Sequence, residues 1–292
     1  MQTHLSNYRR QAMLLVILVF FCFTYTISAQ NTWDGSTSTA WNNAANWSLG
    51  TIPSSSDDVV IPSAPSNQPS ISSISVDFAT LEVQSGATLT ISSGTLSGTG
   101  GITNDGTISM SGTSTFESDI DNNGTFNWNS GGLRSVGGST MTNSGTLNVN
   151  VNNHTPNDIQ VVFVNASGGV IDMSGAGIFQ RIPTAFTNDS GGSITIASGR
   201  VLALQDMVTN NGTVSGDGAL ELRGGSGLQT LAGDGSFTNL NINNSDNVDI
   251  TGTQSVSGTL DLISGRVLLQ DVNNLTVGTF ANVSSTNYVV TS

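Results

Sequence analysis

Three carboxylates stand at alternate positions in Phe116-Glu117-Ser118-Asp119-Ile120-Asp121. Alternate residues of a β-strand share a face, so Glu117, Asp119 and Asp121 would line up with neighbours about 7 Å apart. Oxygen donors at that density suit a hard divalent cation, calcium first. A carboxylate pair about 5–9 Å apart is also what glycoside hydrolysis uses. The plainer alternative is a solvated outer face that discourages association.

Little else in the chain is reactive. There is no lysine, so no lysine base or Schiff-base former. The only cysteine, Cys22, lies in an apolar leader, which leaves no thiolate nucleophile or disulfide downstream. His154 sits in the polar, proline-containing NNHTPND (152–158), which reads as an exposed loop. Asp217 and Asp234, each between glycines, read as turn residues. Arg134, Arg181, Arg200, Arg223 and Arg266 are too scattered to form a clamp.

Two further sets are defined by spacing. Trp33, Trp41 and Trp47 crowd into residues 31–62, where they could cover the open end of a repeat stack or offer broad faces to sugar rings. Asn104, Asn122, Asn143, Asn165, Asn188 and Asn210 open successive copies of one pattern at intervals of 18, 21, 22, 23 and 22 residues. Stacked at a turn, their amides could bond to one another as a structural ladder. Asn123, Asn165, Asn188 and Asn211 also begin Asn-x-Ser/Thr triplets, which a chain this rich in Asn, Ser and Thr forms by accident.

The copies NDGTISM (104–110), NNGTFNW (122–128), NSGTLNV (143–149), NASGGVIDM (165–173), NDSGGSITI (188–196) and NNGTVSG (210–216) define the element that positions these residues. After each Asn and turn, apolar residues fall two apart, as Ile108 and Met110 or Phe126 and Trp128 do, which is strand periodicity. Self-similarity near 21 residues marks a stacked repeat, whereas a sandwich would show strands every 8–12 residues or so without it. A second echo, SGRVLALQD (198–206) against SGRVLLQD (264–271), suggests that whole rungs resemble each other. The expected fold is all-β, a right-handed parallel β-helix (β-solenoid) of about 21-residue coils with a Trp-rich N-terminal cap. The 34 glycines among 292 residues, which alone could suggest disorder, then fall at coil corners.

Arg9 and Arg10, the apolar run 12–23 and small Ala29 form a secretory signal peptide over residues 1–29. Residues 30–80, where Asp57 and Asp58 look like a turn leading into a strand, follow as a cap region, and 81–292 as the repeat domain. The chain ends in NYVVTS (287–292), which predicts a repeat domain incomplete at its C-terminal end. No later run reaches the roughly 20 apolar residues that span a bilayer. The net charge of −13 disfavours nucleic acid as a partner.

The tryptophan-rich opening with Asp-Asp-Val-Val-Ile-Pro (57–62), the Asn-x-Gly-Thr coils and FTNLNINNSDNVDITGTQSVSGTLDLISGRVLL (237–269) resemble secreted, surface-associated β-helix repeat proteins of gliding-type bacteria. That resemblance implies export, attachment through type IX secretion and an adhesin-like role, although the C-terminal sorting domain that such attachment uses is not recognised within residues 1–292. The resulting expectation is a non-enzymatic protein, secreted or held at the outer membrane, serving adhesion or surface architecture. Its partners would be glycans or matrix components, and it needs no cofactor unless calcium sits on Glu117, Asp119 and Asp121. A carbohydrate-active β-helix and the passive stalk of a larger surface protein are the alternatives.

Overall fold

A computed structural model describes residues 29–151, 159–175, 179–224, 227–269 and 274–291. His154 and the leader before Ala29 lie outside the described residues. The described chain is a parallel β-solenoid of about 11 turns with roughly 20-residue coils. Its one helical element among those residues is a single 3-10 turn, Ala44–Asn46.

Each coil crosses three faces. Face A is a sheet of thirteen strands, running from Ala29–Thr32 and Asp57–Ile61 to Val289–Thr291. The second sheet bends along its length into faces B and C. Thr88–Gly98 crosses that bend, pairing through Thr88–Ile91 with Thr107–Met110 on face B and through Gly94–Leu96 with Ser114–Phe116 on face C. Gly94 makes the bend with φ 145°, where an added Cβ would lie 2.2 Å from the Ile74 carbonyl oxygen. Thirteen strands at about 4.8 Å make a rod of about 58 Å.

In-register parallel pairing turns each inward position into a continuous row. On face B, Leu89, Ile108, Phe126, Leu147, Ile171 and Ile194 follow one another, all fully buried. Phe163 and Phe186 stack one coil apart on face A, with ring centroids 6.3 Å apart, and Trp128 stacks on Phe163 across the core at 6.3 Å. The alternation legible in the sequence is therefore the buried and exposed alternation of the rod.

Two organisational details differ from expectation. The coil path begins before residue 81, because Asp57–Ile61 and Ser70–Phe78 are already pairing strands of faces A, B and C. The echo between 198–206 and 264–271 joins different faces: Val201–Leu204 lies on face C and Val267–Leu269 on face A. Short apolar alternation fits any inward face, so place within the coil decides the face, and likeness of sequence does not.

The N-terminal edge is covered. Ala29–Thr32 pairs with Asp57–Ile61 on face A, while residues 39–41 bond to Ser70 at the edge of face B. At the other end, Asn274–Ala281 is largely exposed, and Phe280 faces solvent.

Candidate functional site

The six asparagines form a continuous internal ladder, each at the end of a face A strand where the chain turns toward face B. Asn104 Nδ2 donates to Asn122 Oδ1 at 2.6 Å, and Asn122 to Asn143 at 2.7 Å. Asn143, Asn165 and Asn188 continue it to Asn165, Asn188 and Asn210, each at 2.8 Å. All six are at most 1% exposed. Within the ladder each amide pairs with the next, whereas at its two ends Asn104 Oδ1 and Asn210 Nδ2 are buried without a partner, and an unmet buried donor or acceptor costs about 1–3 kcal/mol.

Four of the six carboxamides do a second task. Asn104, Asn122, Asn143 and Asn165 also donate to the carbonyls of Thr125, Thr146, Val170 and Ser193, the first residues of face B strands one coil further on. The ladder thus sets the height at which the chain enters face B. Close behind each amide runs a glycine: a Cβ on Gly124 would lie 2.2 Å from the Gly106 carbonyl oxygen.

Gln254 fills the space beyond the ladder's last side-chain amide without bonding to it, and no sequence argument singled it out. After Asn210 the ladder position passes by register to Gly233, which has no side chain to offer. Gln254 is fully buried and donates from Nε2 to the carbonyls of Asn210 (3.2 Å), Ala232 (3.1 Å) and Gly233 (2.6 Å). A lone Gln amid Ser and Thr carries no repeat signature, so spacing could not reveal it.

Glu117, Asp119 and Asp121 do not form one strand. Ser114–Phe116 closes face C, Ile120–Asn122 opens face A, and Glu117 to Asp119 turn the corner between them. Burial alternates as expected, with Phe116, Ser118 and Ile120 inside and the three acids outside. Corner geometry disperses the carboxylates: Asp119 Oδ1 accepts the Thr140 N–H at 2.8 Å, and Ser118 Oγ bridges back to Gly98. The acids border a shallow groove of about 590 Å³ with Gly98–Gly101 and Gly137–Thr140. Among the described residues, no three His, Cys, Asp or Glu converge as metal ligands, so the calcium set is not assembled there.

The three tryptophans present no sugar-binding face. Trp33, Trp41 and Trp47 are at most 2% exposed and pack edge to face, with Trp33–Trp47 centroids 5.0 Å apart and Trp41–Trp47 4.7 Å apart. Trp33 Nε1 donates to the Asn67 carbonyl at 2.7 Å and Trp47 Nε1 to that of Trp41 at 2.8 Å. Their apolar bodies close the first coil, which is the capping role and leaves no ring free to stack on a ligand. Buried Asn46 organises the same loop, its Oδ1 accepting from the Thr37 and Ser38 amides, both at 3.0 Å.

The remaining polar residues fall in structural places. Asn165 and Asn188 are consumed by the ladder and closed to modification, whereas Asn123 and Asn211 lie exposed at corners. Asp234 caps the next coil by accepting the Thr253 N–H at 2.7 Å, and Asp217 is in an exposed bend. Asp57 holds the turn before its strand through the Ser54 N–H, 2.7 Å from Oδ2.

No curated protein and no solved structure matches the chain. Residues 32–130, which span the tryptophan cap and the first coils, match a family described as a domain of unknown function (DUF8693).

Proposed function

We propose that this protein is a secreted, non-enzymatic scaffold that serves adhesion or architecture at the cell surface. The observation that carries the reading is the use made of the polar residues: the buried carboxamides are spent on holding coil to coil, and the exposed acids Glu117, Asp119 and Asp121 do not converge as a ligand set. The leader 1–29 and the resemblance of the repeats to surface β-helix proteins support export. A capped, cysteine-free rod of about 58 Å suits an extended spacer or binding platform, since its stability rests on nearest-neighbour stacking.

The test is to express the whole chain in a bacterium, locate it by fractionation, and offer the exported protein to cells, matrix proteins and glycan arrays. Recovery outside the inner membrane with binding to one of these supports the role. Retention in the cytoplasm, or product release from a polysaccharide that is lost in Asp119→Ala, would overturn it.

A further inference from the structure

Face B carries an array that the scaffold role does not use. Its first outward row has ten members in unbroken register from Thr88 through Thr107, Thr125 and Thr146 to Thr276; nine are Ser or Thr, and Val170 is the exception. A second row, two residues along each strand from Thr90 to Ser215, carries a hydroxyl or carboxamide at every position but Asp172. The result is a two-dimensional grid with a period of about 4.8 Å along the rod and about 6.7 Å across it.

Three features bear on what could lie on this grid. It is almost free of charge in an acidic chain: Asp172 is the one ionisable member, and its carboxylate is engaged by the Ser174 N–H at 2.8 Å and Oγ at 3.0 Å. Acids such as Glu82, Asp121 and Asp249 stand on face A, and Arg134 and Arg223 belong to face C strands. The grid is also stiff, because the buried ladder amides hold the carbonyls of Thr125, Thr146, Val170 and Ser193 in the first row. It contains no aromatic ring, the platform on which a sugar chain would stack. A second copy of the chain is a poor occupant: two such faces would bury about 1,200 Å² at most, the bottom of the range for specific complexes, with few apolar groups.

A fitting ligand is neutral, flat, rigid and itself periodic near the strand spacing. The surface of crystalline water meets all four conditions: its oxygens repeat along one axis at nearly that distance, and each can exchange a hydrogen bond with a hydroxyl or carboxamide. The threonine methyls between the hydroxyls add apolar contact that excludes liquid water. A ligand that is itself a lattice rewards a receptor whose groups are fixed in advance. We propose that face B binds ice, with the asparagine ladder as its rigid backing.

The experiment uses the whole purified chain and ice as the probe. Single ice crystals held just below their melting point should become faceted and stop growing within a measurable temperature gap, and recrystallisation of a frozen film should slow. Thr107→Lys with Thr146→Lys should reduce the recrystallisation-inhibiting potency about tenfold or more. Thr187→Lys on face A should leave it unchanged, with circular dichroism and unfolding midpoints confirming that both variants remain folded. An unmodified chain that neither shapes ice nor slows recrystallisation overturns the proposal, however the variants behave. So does equal loss in the face A variant, or retention on crystalline cellulose or chitin without any effect on ice.

Discussion

Replacing Asn143 by alanine isolates what the internal ladder contributes. Its Oδ1 accepts from Asn122 at 2.7 Å, and its Nδ2 donates to Asn165 at 2.8 Å and to the Val170 carbonyl at 3.1 Å. Alanine removes both ladder bonds. Asn122 Nδ2 keeps the Thr146 carbonyl at 3.1 Å, whereas Asn165 Oδ1 loses its ladder donor in a site closed to water. One buried acceptor without its partner costs about 1–3 kcal/mol, and the lost side-chain volume adds to that, so about 2–4 kcal/mol is expected. At the ladder's first member, Asn104→Ala likewise leaves one buried acceptor, Asn122 Oδ1, without its donor, so a similar cost of about 2–4 kcal/mol follows. Asn129→Ala removes only the exposed acceptor of Asn150 and should stay within about 0.5 kcal/mol of the unmodified chain. Guanidinium unfolding followed by circular dichroism reads all three, compared at a common slope because long stacks depart from two-state behaviour. Equal costs at Asn143 and Asn129 would refute the reasoning, since the ladder would then contribute no more than an exposed pair.

Other outcomes follow from the same geometry. Trp47→Ala, which empties the centre of the cap, should cost about 3–5 kcal/mol and expose the first coil's edge, so light scattering should show larger assemblies than for the unmodified chain. Gly124→Ala should lower the melting temperature by several degrees, because its Cβ would sit 2.2 Å from the Gly106 oxygen, while Gly137→Ala, with nothing within 4 Å, should leave it in place. Millimolar calcium should give neither calorimetric heat nor a raised melting temperature; a rise abolished by Asp119→Ala would restore the three acids as a ligand set.

The stacking was legible because it depends on two periods that a sequence records directly. Alternation of Ile108 and Met110 or Phe126 and Trp128 gives the buried face, and an Asn returning every coil gives the rung. Corners were less legible. The turn at Glu117–Asp119 has no glycine to announce it and keeps a strand's alternation, so three acids that look like one row are spread around a bend. The tryptophans were ambiguous for another reason: a cap and a sugar platform both want a wide ring with a polar edge, and burial alone separates them. Gln254 was silent because its function is to fill the space that a glycine leaves, a relation between neighbouring coils that no local pattern encodes.

The register between coils is the claim on which ladder, cap and grid all depend, and a disulfide tests it most directly. In a Cys22→Ser background, cysteines placed at 107 and 125 face each other across one coil, with Cα atoms about 4.8 Å apart and inside the range a disulfide accepts. Mild oxidation should close an intramolecular bond in nearly every molecule and leave the strand signal intact, whereas cysteines at 107 and 127, one pair out of register, should close far less. Equal closure of both pairs, or none at 107 and 125 in a folded chain, would contradict the stacked register.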